Sequence, residues 1–133
     1  MTILVGYVPT PEGEAALAAG LEEARLRSTG LIILNSPRQG ATVDAALATD
    51  EEIEQLLDRA RTAGVEATVR RSEHGADLAE EFLRLAEETE ASLVVIGLRR
   101  RSQVGKFIMG SHAQRILLQM DRPVLAVKVP EQH

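Results

Sequence analysis

Residues 94–118 read VVIGLRRRSQVGKFIMGSHAQRILL: an apolar run, a glycine, three consecutive arginines, and later a glycine followed by serine. These residue types suit one chemistry, the holding of an anion. Arg99, Arg100, Arg101 and Lys106 supply cations, and no acid lies between Ala91 and Met120 in a chain whose net charge is -5. Gly97, Gly105 and Gly110 allow a backbone to come close to a ligand. Ser111 can cap the helix that follows or donate its hydroxyl to a phosphate oxygen. The amino end of that helix favours an anion by roughly 0.3–2 kcal/mol. An ordinary solvated connection is the competing reading, because an arginine triplet suits a surface loop and Gly110-Ser111 suits any helix start.

Two common phosphate motifs do not fit. A Walker A loop needs glycine where Arg100 stands and Ser or Thr after Gly105-Lys106, where Phe107 follows. A dinucleotide fingerprint needs a glycine-rich turn after the first strand, and that turn is Val8-Pro9-Thr10-Pro11. Side-chain catalysis has little to work with. His74, His112 and His133 lack metal-ligand spacing, and Ser111-His112 are neighbours without the surroundings of a nucleophile elbow. The glutamate pairs, such as Glu22-Glu23 and Glu80-Glu81, read as solvated helix faces, and Asp77 as an acid favoured at a helix start. Binding is therefore expected rather than catalysis, with slow nucleotide hydrolysis the most that these residues offer.

The arginine segment must be positioned by the elements around it. Thr2–Val8 and Leu31–Leu34 are short, β-branched and almost unbrokenly apolar, as parallel strands covered on both faces are. Val65–Arg70 alternates and predicts an edge strand, Leu93–Ile96 a fourth buried strand, and Pro123–Val129 a fifth. Between them, four helical patterns are expected. Thr10 and Pro11 open the first, Leu17, Leu21, Ala24 and Ser28 line it, and Gly30 closes it. Thr49-Asp50-Glu51-Glu52 forms a capping-box pattern for the second, which carries Ile53, Leu56, Leu57 and Ala60 and ends at Gly64. Leu78, Phe82, Leu85 and Ala86 mark the third; Ala113, Ile116, Leu117 and Met120 mark the fourth. This alternation predicts an α/β fold, an open doubly wound parallel sheet of five strands with helices on both faces. The arginines then fall in a strand-to-helix loop at the carboxyl end of the sheet, where such folds bind ligands.

Composition narrows the partners. The 133 residues are expected to form a single domain, 1–133, able to bury a core without disulfides, and none can form because cysteine is absent. An aromatic content of 2% and the negative net charge argue against nucleic acid and anionic membranes. The apolar runs are strand-sized, and the strand pattern begins too near Met1 for a leader, so a cytoplasmic protein is expected. The last strand, Val124 to Val129, is apolar enough that an edge position would call for a cover, such as a second copy of the chain.

Over essentially its whole length the chain resembles small single-domain universal stress proteins. The family's Gly, two residues, Gly, nine residues, Gly and Ser or Thr is matched at Gly97, Gly110 and Ser111. The Ser92–Gly97 lead-in and the Arg122–Lys128 ending are similar to the family's as well. The resemblance implies sheet order 3-2-1-4-5, a homodimer formed through the last strand, and ATP or another adenine nucleotide as ligand. It implies a phosphate site at Gly97, Gly110 and Ser111, flanked by Arg99 and Arg100 and by Val8, Pro9 and Thr10 at the end of the first strand. Two positions depart from the pattern. Arg100 replaces the second glycine, and Val8-Pro9-Thr10 stands where ATP-binding members usually carry Asp-Gly-Ser. The alternative is a dimeric interaction protein that has lost the site. The metal is left open.

Overall fold

A computed structural model of the chain describes residues 2–35, 49–71, 77–100, 107–108 and 111–129. Strand β1 (Thr2–Tyr7) is the central strand, and Ile3, Leu4 and Val5 are wholly buried because helices cover both faces. Helix α1 (Pro11–Arg27) follows, opened by Thr10, whose hydroxyl oxygen accepts from the Gly13 amide. It ends at Ser28, which takes a left-handed conformation (φ 52°), while the Thr29 amide donates to the Ala24 carbonyl. Ser28 therefore turns the chain out of the helix instead of lining its apolar stripe, and Gly30 is the first residue of β2 (Gly30–Asn35).

Helix α2 (Asp50–Thr62) begins with the expected capping box between Thr49 and Glu52. It is closed at Gly64, whose positive φ of 77° suits glycine. β3 (Ala67–Arg71) starts two residues later than the alternation suggested, because the Val65 amide still donates to the Ala60 carbonyl of α2. Helix α3 (Leu78–Glu88) is capped by Asp77 and leads into β4 (Ala91–Arg100). Short β5 (Phe107–Ile108), α4 (Ser111–Gln119) and β6 (Val124–Lys128) complete the described elements.

The parallel strands run in the order β3-β2-β1-β4-β6, which is the 3-2-1-4-5 arrangement with β6 as the fifth strand. β3 is an edge with an exposed face, as its alternation implied. On one face α1 and α2 bury Ile3, Val5, Leu31, Ile33, Leu93 and Val95. On the other, α3 and α4 bury Leu4, Leu34, Val94 and Ile96. Helix α1 reaches the sheet through small residues, Gly13, Ala16, Gly20 and Ala24, so its backbone lies close to the strands.

β4 departs most from expectation. It continues four residues past Ile96, so Arg99 and Arg100 lie in a strand and not in a loop. Backbone pairing explains the extension. Gly97 and Leu98 are in register with Val127 and Lys128 of β6, and Arg99 and Arg100 pair antiparallel with Ile108 and Phe107 of β5. A strand end held by ladder hydrogen bonds needs no apolar side chains, which is why hydrophobic patterning stopped short.

Candidate functional site

The winding direction of the sheet reverses between β1 and β4, since β2 and β3 lie beyond β1 while β6 lies beyond β4. Folds of this type offer a crevice at the carboxyl ends of two such strands. The segment leaving β1 is tightly built. The Thr10 amide donates to the Val8 carbonyl at 2.8 Å, and the Gly13 amide donates to the Thr10 hydroxyl oxygen at 3.2 Å. Val8 and Thr10 are half-buried and Pro9 is exposed.

Two glycines let α1 start here. A Cβ on Gly13 would lie 1.8 Å from the Val8 carbonyl oxygen, and one on Gly97 would lie 2.1 Å from the Glu12 carbonyl oxygen. Both approaches are backbone against side-chain space, so no rotamer change could relieve them. Gly97 is thus required by the packing of α1 on β4, whatever else it does.

Beside these strand ends lies an apolar hollow of about 130 Å³, lined by Gly6, Val8, Phe82, Ile96, His112 and Ile116 among others. His112 is exposed in the first turn of α4 at its rim. A larger cavity of about 600 Å³ opens at the amino ends of β1, β2 and β3, bordered by Thr2, Gly30, Arg61 and Glu66. It lies at the opposite end of the strands from the winding reversal and holds none of the candidate site residues.

Strand alternation assigns the arginine positions to opposite faces. Position 99 follows Val95 and Gly97 on the face covered by α1, and position 100 follows Ile96 on the face covered by α3 and α4. Ser111 is the first residue of α4. The structure thus gathers Val8, Pro9, Thr10, Gly97, the backbone of Arg99 and Arg100, and the start of α4 around one end of the sheet. Gly110 lies outside the described residues, as do His74, Arg101, Gly105, Lys106 and His133.

Polar ties beside the site escaped the sequence reading. The buried Tyr7 hydroxyl donates to Glu14 Oε1 at 2.6 Å, and Arg59 Nη1 donates to Glu14 Oε2 at 2.8 Å, joining β1, α1 and α2. Burial pushes the Glu14 carboxyl up, but the Tyr7 and Arg59 hydrogen bonds outweigh it and hold the group below its ordinary value. Burial, and then the Glu14 hydrogen bond, raise the Tyr7 phenol far above its ordinary value. Buried Asn35, at the end of β2, donates to the Tyr7 carbonyl at 3.4 Å. Across the other face, Arg115 Nη1 of α4 reaches Asp77 Oδ2 at 2.7 Å. That hydrogen bond, with the Glu80 amide, holds the Asp77 carboxyl below its ordinary range. Partners 38 and 45 positions apart, as in these ties, leave no local pattern to read.

Among the described residues no three His, Asp or Glu side chains converge as a metal site, and no helix is long and apolar enough to cross a membrane.

The model of the universal stress protein family matches residues 1–128. The chain belongs to that family. A universal stress protein of Mycolicibacterium smegmatis is 43% identical over 126 residues, covering 95% of this chain and 96% of the relative. Among solved structures, a universal stress protein from Archaeoglobus fulgidus is 30% identical with a TM-score of 0.79, covering 96% of this chain and 98% of its own. An Archaeoglobus fulgidus universal stress protein in complex with dAMP is 27% identical with a TM-score of 0.73 and the same coverage. Membership agrees with the α/β fold and with the sheet order described above.

Proposed function

We propose that this universal stress protein is a non-catalytic module that binds an adenine nucleotide or a related phosphate ligand where β1 and β4 end. In this reading the ligand-binding positions are Gly97, Arg99, Arg100, Gly110 and Ser111, together with Val8, Pro9 and Thr10 at the exit of β1. The observation that carries this reading is the convergence of the β1 exit, the end of β4 and the start of α4 at the winding reversal of the sheet. The dAMP complex of the 27% identical Archaeoglobus fulgidus protein supports it. So does the run of cationic residues in an otherwise acidic chain. In this reading the protein is a cytoplasmic homodimer acting in the stress response and joined through the β6 region, Val124 to Val129.

A second reading, a dimeric interaction protein without a working site, is favoured by one observation. The Glu12 carbonyl explains Gly97 with no ligand present. Titration calorimetry on protein freed of bound nucleotide separates the two. Saturable binding of AMP, dAMP or ATP, weakened by Gly110→Asp, supports the module. No heat from any of them at millimolar ligand supports the interaction protein.

A further inference from the structure

Helix α4 starts at the cleft, yet little apolar packing fixes that end. In its first turn His112 and Gln114 are exposed and Ala113 is half-buried; Ile116, in the next turn, is buried. The apolar hollow reaches between the starts of α3 and α4. Leu78 and Phe82 line it from α3, and His112, Ala113 and Ile116 from α4. Side chains around a hollow lack partner atoms on one side, so they hold their helices less firmly than a close-packed core does.

A charge contact joins the same two helix starts. Asp77 caps α3, and its Oδ1 accepts from the Glu80 amide at 3.2 Å. Its Oδ2 accepts from Arg115 Nη1 of α4 at 2.7 Å. Glu80 Oε1 lies 4.0 Å from Arg115 Nη2 and adds to the attraction. The cap fixes the carboxylate, so Arg115 is drawn to a place that the first turn of α3 sets. Side-chain exposures of 36% for Arg115 and 38% for Asp77 leave the pair partly shielded from water. Resting on the reading of the cleft as a nucleotide site, we infer that Asp77 and Arg115 are positioning residues for the ligand. Through their pairing they set where the amino end of α4 stands against the end of β4, and neither touches the ligand. Amides at a helix start hold an anion only when the helix is aimed at it, and misplacement by about 1 Å weakens such a site.

The two oxygens of Asp77 serve two helices, and substitution separates them. Asp77→Ser keeps a cap for α3 but gives up Arg115; Arg115→Gln gives up the charge from the other side. Calorimetry with AMP on the nucleotide-free full chain, well below its melting temperature, tests the inference. Each variant is expected to weaken AMP by about two- to fivefold, the range that a partly exposed ion pair supports. The double variant should lose no more than either single one, because the same tie is broken in all three. Arg115→Lys keeps the charge and should bind AMP more tightly than Arg115→Gln. Unchanged AMP affinity in both single variants, with only the melting temperature lowered, would make the pair purely structural and overturn the inference. Loss in Arg115→Gln with no loss in Asp77→Ser would mean that the guanidinium meets the phosphate directly, and overturns it too. So does a double variant whose loss is the product of the single losses. A parent that binds neither AMP nor ATP at millimolar ligand overturns the nucleotide reading instead.

Discussion

Gly97→Ala should destabilise the protein in the complete absence of ligand. The new Cβ would lie 2.1 Å from the Glu12 carbonyl oxygen and 2.7 Å from its carbon. Restoring even a tight 3.0 Å contact requires the start of α1 to move about 1 Å from β4. That movement is resisted from the other side, where Gly13 already stands against the Val8 carbonyl and Thr10 caps the first turn. Overpacking typically costs about 1–3 kcal/mol, and a clash with backbone on a pinned helix belongs at about 3. For a domain of this size each kcal/mol lowers the melting temperature by about 3–5 °C, so a fall of about 10 °C is expected. Urea unfolding of nucleotide-free protein should show a lower midpoint with an unchanged slope. A ligand-free variant within about 0.5 kcal/mol of the parent would refute the packing account and return Gly97 to a purely ligand-facing role.

Other perturbations test neighbouring parts of the structure. Glu14 titrates below its ordinary value in the folded chain, so its ionised form stabilises the fold. That contribution is complete above the ordinary glutamate value of about 4.3 and is lost as pH falls through the lowered folded value. Glu14→Gln should therefore flatten the acid limb of the stability–pH curve, and an unchanged limb would remove the Tyr7–Glu14–Arg59 tie from the account. Phe82→Ala empties a buried ring position beside Gly6 and should cost about 3–5 kcal/mol, read by urea denaturation; a loss under about 1 kcal/mol would contradict the packing of α3. Val127→Glu places a charge in the half-buried edge strand β6 and should convert a dimer to monomer or insoluble protein. Light scattering that finds the parent itself monomeric at high concentration defeats the dimer.

Much of the fold was legible because it follows from local physics. Doubly covered strands show as unbroken aliphatic runs, hence β1, β2 and β4. Capping is equally local, so Thr10, Thr49 and Asp77 stand at the helix starts where their side chains accept from amides three residues on. Three features were not legible. Ser28 adopts a left-handed conformation that glycine usually supplies, and the glycine two residues later drew the helix end too far. The last four residues of β4, Gly97 to Arg100, are held by pairing with β5 and β6, which no side-chain pattern announces. Asp77 and Arg115 meet only because α3 and α4 cover the same face.

For the site the lesson is sharper. A glycine motif carries two physical demands at once, close approach of ligand and close approach of neighbouring backbone. At Gly97 the second demand is met in full by Glu12, so its presence does not discriminate a working site from a lost one. Discrimination passes to positions where no backbone crowding compels the residue. Arg100 is such a position, because a strand end paired to β5 would accept many side chains, and the motif's own glycine among them. An arginine there puts a cationic residue at the carboxyl end of β4. If that charge serves no ligand, replacing it should leave every measured property of the protein unchanged. Its substitution is therefore a change whose effect on nucleotide affinity is separable from an effect on folding.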